Sequence, residues 1–293
     1  MPAQPFSIEG DTSRAMSLID FILNVAGLLL WLNWRAIPLP AAPAPGASLV
    51  GTLRATGPPR PRIYYLAALL ALVAGRGFFY WQVGGEIQWT PCISLGPTTF
   101  FFRSDILERM LWYSFFSFGV ALWVFYLCLL LLSSIHAPAV DSSTGARLLR
   151  AQLGMLDRWP GALKLALPLL VVAAGWCVAH PLLVALGIVP ASGQEVWRVP
   201  AQGVVIGLVV YLVLKFFLVA VLALHLVNTY VYLGELPLWN FVNATARGLL
   251  RPLQWIPLRA GRIDFAPILA IVAVVLAAQY GQRALTDLYQ KLV

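Results

Sequence analysis

The sequence predicts an all-α polytopic membrane helical bundle of about six spans, and three observations carry that prediction. Of the 293 residues, 60% are hydrophobic and only 11% are charged, against about 45–50% and about 25% in soluble domains. Long apolar runs recur, each near the roughly 20 residues that cross a bilayer as a helix. Basic residues gather on alternate loops, as the positive-inside rule requires. A mean hydropathy of +0.80 agrees, and soluble enzymes, disulfide scaffolds and disordered chains are excluded. The 20 Lys and Arg against 12 Asp and Glu give a net charge of +8. Topology explains this excess without nucleic acid.

Taken in order, the apolar runs place spans at 17–34, 63–84, 110–135, 165–189, 203–234 and 265–286. The first carries Asp20 and Asn24 and the second Arg76, so each is a candidate for tilt or distortion. The fifth exceeds one bilayer crossing, so tilt or a cytoplasmic extension is expected. The N-terminus lacks a basic n-region and cleavage site, so its first run reads as a retained span. Loops 35–62, 136–164 and 235–263 hold twelve Lys and Arg, and the opposite set five. These counts predict a cytoplasmic position for the three basic loops, with N-out and C-out termini. Cys92, Cys128 and Cys177 are too widely spaced to suggest a disulfide framework or metal box.

An internal repeat shapes the organisation. TGARLLRAQLGMLDR from Thr144 aligns with TARGLLRPLQWIPLR from Thr245 at an offset of about 101 residues, matching Leu148/Leu249, Leu149/Leu250, Arg150/Arg251 and Arg158/Arg259. Pro168 and Pro267 then enter the following spans. A weaker third copy is suggested at Ser48, with Leu53 and Arg54. The organisation expected is a divergent N-terminal hairpin and outer loop at 1–109, and repeats at 110–189 and 190–293. In the connecting segments, Leu149, Leu153 and Leu156 form one face opposite Arg147, Arg150 and Arg158. Ala246, Leu249, Leu250 and Leu253 form the other segment's apolar face, with Trp255 at headgroup depth and Pro252 and Pro257 breaking the helix. Both segments suit helices lying in the interface. Asp264, three residues before Pro267, is a candidate N-cap or first-turn carboxylate.

The segment WNFVNATARGLLRPLQWIPLRAGRIDFAPIL, residues 239–269, resembles the signature of the YggT (YlmG-like) family of small multi-pass membrane proteins. The residues that carry the resemblance are Asn240, Phe241, Thr245, Leu249, Leu250, Pro252, Pro257, Gly261, Asp264, Ala266 and Pro267, followed by an unbroken apolar span. Residues 110–286 resemble two of the family's span-connection-span units. The earlier copy departs from the pattern, with Leu165 where Asp264 aligns. The resemblance implies a role in membrane organisation or assembly without an assigned catalytic activity. Plastid relatives are linked to haem attachment on a cytochrome and to nucleoid organisation, and bacterial relatives to division genes and osmotic tolerance.

Polar residues within the spans admit two readings. Asp20, Arg76 and Lys215 line a polar pocket or ion path, or they pair and snorkel to lock helices together. His136, His180 and His225 lie at different predicted depths, which argues against bis-histidine haem, so no cofactor or metal is expected. Ser133, Ser134 and His136 read as interfacial polar residues at a span end, and Phe78, Phe79, Tyr80 and Trp81 as an interface belt. The loop from Trp89 to Met110 reads as an anchor on the outer surface or a partner-docking segment. No catalytic motif is present in the sequence. The expected function is a non-enzymatic scaffold or assembly factor of the bacterial cytoplasmic membrane. Its candidate surface is Arg147, Arg150, Arg158, Arg247, Arg251, Arg259 and Arg262, meeting anionic lipid, an acidic membrane protein partner or both, with a homo-oligomer as a separate expectation. A small-ion or solute permease linked to osmotic adjustment is the alternative.

Overall fold

The computed structural model describes residues 8–35, 62–87, 89–96, 98–136, 144–185, 187, 197–231, 237–253, 255, 259–260 and 263–292. The weaker repeat copy at Ser48 lies outside them. The described chain is an all-α polytopic bundle with six helices long and apolar enough to cross a membrane. In chain order the helices are α1 (Ile8–Arg35), α2 (Arg62–Glu86), α3 (Leu107–Ile135), α4 (Thr144–Leu153), α5 (Gly161–Ala185), α6 (Arg198–Leu212), α7 (Leu214–Tyr230), α8 (Pro237–Leu250) and α9 (Ala266–Leu292). The spans are α1 from Ala15, α2, α3, α5, α6 with α7, and α9. Helices α4 and α8 are the short connections, each ending in a 3₁₀ turn, Gly154–Arg158 and Arg251–Leu253.

The chain forms two compact units, residues 1–91 with 103–121 and residues 92–102 with 122–293. In the first, α1 packs on α2, and Gly77 admits the backbone of Leu111, to which a Cβ would come within 3.0 Å. The loop before α3 contributes Trp89, whose ring meets Tyr80 and Tyr113 at 5.2 and 5.8 Å.

In the second unit the closest helix pair is α5 with α6. Gly203 and Gly207, four residues apart on α6, face Ala173 and Leu169. A Cβ at Gly203 would lie 2.9 Å from the Ala173 carbonyl oxygen, so only glycine permits this approach. Gly203→Val should therefore separate the helices and cost about 1–3 kcal/mol. Thermal unfolding in nanodiscs checks this against Gly175→Val, a position open within 4 Å. Beyond this seam, α7, α8 and α9 enclose Val221, Leu222, Val242, Ala246, Leu250 and Ala270.

Several expectations are revised by the structure. The loop after α2 forms an antiparallel hairpin, β1 (Cys92–Leu95) with β2 (Thr98–Phe101). Gly96 turns it at φ +72° and sits so close to Val209 of α6 that a Cβ would overlap that side chain. The long fifth run gains its extra length at the amino-terminal end, from Arg198, and its helix ends at Tyr230 with Val231 extended, while 232–234 lie outside the described residues. It tightens at Val213, whose N–H bonds Val210 O at 3.2 Å, a three-residue spacing.

Pro168 lies inside α5 rather than at its entry. The Tyr211 hydroxyl is inserted into the helix ladder there, donating to Leu165 O and accepting from Leu169 N at 3.3 Å. A side chain placed in the ladder next to a proline is a recognised way for a helix to absorb it. At the start of α9, Phe265 O accepts from Leu269 N at 3.0 Å, so Phe265 holds the N-cap position and Asp264 precedes it in a short strand. Pro267 sits in the first turn, where its missing N–H has no helical partner to lose.

Candidate functional site

Among the described residues, two polar clusters and one exposed basic face are the features with chemistry. The first cluster belongs to the first unit. Asp20 accepts from the Tyr80 hydroxyl at 2.9 Å, the Ser117 hydroxyl at 2.8 Å and Asn24 Nδ2 at 3.1 Å. Arg76, its side chain 2% exposed, stands 3.6 Å from the same carboxylate. It donates to Asn24 Oδ1 at 2.6 Å, to Ser114 Oγ at 2.9 Å and to the Ser114 carbonyl. The Ser114 hydroxyl itself donates to Val73 O at 2.6 Å. The guanidinium of α2 is thus matched by a carboxylate and an amide from α1 and by a hydroxyl and a backbone carbonyl from α3. That arrangement suits locking of helices, because each buried donor has a fixed acceptor.

Asp20 and Arg76 come together as an ion pair. Lys215 belongs to the second unit, half-buried, with its ammonium 4.9 Å from the Phe216 ring centre. Tyr80 leaves the interface-belt reading, since it is fully buried and bonded to Asp20, whereas Phe78 and Phe79 are exposed.

The second cluster gathers at the Ile135 end of α3 and secures both connections. Lys164, buried in the first turn of α5, donates to Ser133 Oγ at 2.7 Å. Ser133 donates to Asp157 Oδ1 at 2.5 Å, and Asp157 pairs with Lys164 at 3.5 Å and Arg150 at 3.7 Å. This corrects the reading of Ser133 as merely interfacial and of Lys164 as a loop residue. A few residues on, His136 stacks on Phe241 at 4.8 Å and meets the Thr245 hydroxyl at 2.9 Å. Thr245 already donates to Phe241 O at 2.8 Å, so it accepts from His136 Nε2–H, which fixes the tautomer. Gly248 packs against Ile135 with no room for a Cβ. A second histidine, His225 of α7, bonds Asn243 of α8 at 2.8 Å. His180 is buried edge-on to Trp176. Each connection is therefore fixed to the end of α3 by polar contacts, and each also buries leucines, Leu149 and Leu153 in α4 and Leu250, within the α7–α9 cluster, in α8.

Burial holds the His136 imidazole below its ordinary pKa of 6.5. A released His136 would bind protons more readily than the docked one, so docking is at full strength above about pH 6.5 and weakens as pH falls below it. Amide exchange across 241–250, corrected for intrinsic rates, should quicken at pH 5.5 relative to 7.5 in the wild type, and this difference should shrink in His136→Gln.

The exposed face of the fixed connections carries the basic residues. Arg150 and Arg158 on the first, and Arg247 and Arg251 on the second, are all exposed. For Arg147 and Arg259 the backbone alone is described, in α4 and in the short strand Arg259–Ala260, and Arg262 lies outside the described residues. Of the motif residues, Phe241 and Thr245 form the contact with His136, Leu249 and Leu250 face the core and Asn240 and Pro252 are exposed. Pro257 and Gly261 lie outside the described residues. Sequence reading missed Ser114, Ser117, Asp157 and Lys164, and gave Ser133 an interfacial role alone. The available signal was hydroxyls three apart in an otherwise apolar span, Ser114 and Ser117, a spacing that puts both on one helix face. Compared with protein-family models, curated proteins and solved structures, the chain has no match in any of the three.

Proposed function

We propose that this chain is a non-catalytic organising or assembly factor, similar to YggT proteins, of a bacterial cytoplasmic membrane, with both termini outside. Its working surface is the basic face of the two connections, which holds anionic lipid and a membrane protein partner. The observation that supports this reading is the attachment of both amphipathic connections to the same end of α3, through Ser133–Asp157–Lys164 and His136–Thr245. Freely lying interfacial helices need no such fixing, whereas a docking platform gains from it because less is left to order on binding. Arg76 supports the same reading, since its hydrogen bonds are committed to neighbouring helices.

The test is capture of the tagged protein from gently solubilised native membranes with mass-spectrometric partner stoichiometry. A near-stoichiometric membrane partner is expected for the wild type. At about 1 kcal/mol per surface arginine, Arg247→Gln with Arg251→Gln should weaken that capture roughly 30-fold. Recovery alone, or undiminished capture by the variant, contradicts the reading.

A further inference from the structure

Beside the Ser133–Asp157–Lys164 cluster lies a cleft that neither polar network uses. Its walls are Trp123, Leu127 and Leu130 of α3, Leu153 and Leu156 of the first connection, and Val171 of α5. It encloses about 160 Å³, below the roughly 300–1,000 Å³ of sites for compact organic ligands. Its walls expose no polar atom to the cleft, so water entering it finds no hydrogen-bond partner there. From Trp123 to Leu130 the helix rises roughly 10 Å at 1.5 Å per residue. An apolar cleft of that length suits part of an extended hydrocarbon chain.

The Leu130 end of the cleft is charged. Ser133 lies one turn beyond Leu130, Asp157 follows Leu156, and Lys164 stands three residues before Leu167, another wall residue. Arg150 and Arg158, both exposed, flank this end on the same connection that supplies Leu153 and Leu156. Three cations oppose one carboxylate there, and the surplus favours an anion.

We propose that the cleft holds part of one acyl chain of an anionic phospholipid, with the phosphate against Arg150 and Arg158. The inference deepens the reading of the basic face as a lipid-contacting surface, and rests on it. The full-length protein, purified in detergent and offered palmitoyl-oleoyl phosphatidylglycerol or phosphatidylcholine, is weighed by native mass spectrometry. The wild type should retain one phosphatidylglycerol in preference to phosphatidylcholine. Leu156→Trp and Val171→Trp fill the cleft from opposite walls, and each should lose that lipid while still eluting as a single species. Arg150→Gln with Arg158→Gln should keep a chain but lose selectivity for the anionic headgroup, roughly fivefold per arginine. Equal retention of both lipids by the wild type, or full retention by both tryptophan variants, overturns the inference. Partner capture separates the two claims. If both tryptophan variants keep the lipid and Arg247→Gln with Arg251→Gln still loses the partner, the cleft inference fails alone.

Discussion

Asp20→Leu is expected to be the most damaging single substitution in the molecule. It removes the one carboxylate, among the described residues, beside a guanidinium whose side chain is 2% exposed, and it orphans the hydroxyl of the fully buried Tyr80. Removing one partner of a buried ion pair costs about 3–5 kcal/mol, because the other charge stays buried without compensation. Against a total stability of about 5–15 kcal/mol, that loss should sharply lower the yield of monodisperse protein and its thermal midpoint. Asp20→Asn keeps an acceptor for Tyr80 and should be milder. The double variant Asp20→Leu with Arg76→Leu should recover much of the loss, since removing both charges also removes their desolvation cost. Fluorescence-detected size exclusion with a temperature ramp measures all three. A single variant that behaves as wild type, or a double variant as poor as the single one, contradicts the locking role.

The second large effect is expected at Asp157. Asp157→Leu leaves Lys164 buried with Ser133 as its one remaining partner among the described residues, and takes away the acceptor of the Ser133 hydroxyl. Asp157 is 25% exposed at its side chain, so solvent softens the penalty toward the lower end, about 3 kcal/mol. The effect should be local. The connection from Thr144 to Arg158 should detach while the spans persist, seen as faster amide exchange there and as new tryptic cleavage at Arg150 and Arg158. Asp157→Leu with Lys164→Met should restore protection, since the methionine keeps the apolar stem without its charge.

The spans were legible because hydrophobic length is a local property of the sequence, and α2 begins and ends within two residues of the expected run. What escaped reading depends on partners distant in sequence. Lys164 interrupts the apolar run and so reads as loop, but its counter-ion Asp157 and its acceptor Ser133 reach it only once α3, the connection and α5 have folded together. Tyr80 reads as an interface aromatic until Asp20 is placed opposite it. Pro168 reads as a helix entry because a proline interior to a helix is costly, yet Tyr211, 43 positions further along the chain, supplies the hydroxyl that repairs the ladder. The early start of the fifth span at Arg198 was hidden by Arg198, Pro200 and Gln202, which lower the local hydropathy. Gln202 is nevertheless 3% exposed, with its amide donating to Leu292 O at 3.2 Å. The amphipathic faces of the connections were legible from spacing alone: Leu149 and Leu153 are buried and Arg150 is exposed. The contacts that fix those faces to α3 were not, because stacking of His136 on Phe241 is set by tertiary structure.

The claim that the basic face of the connections is the working surface is tested most directly by photo-crosslinking in living cells. A benzoylphenylalanine probe is placed at Arg251 on that face, and a control probe at Leu170, 63% exposed on the span α5. The account predicts a discrete protein adduct from position 251 and none from 170. Equal crosslinking at the two positions, or none at 251 in a strain that expresses and inserts the protein normally, would contradict it.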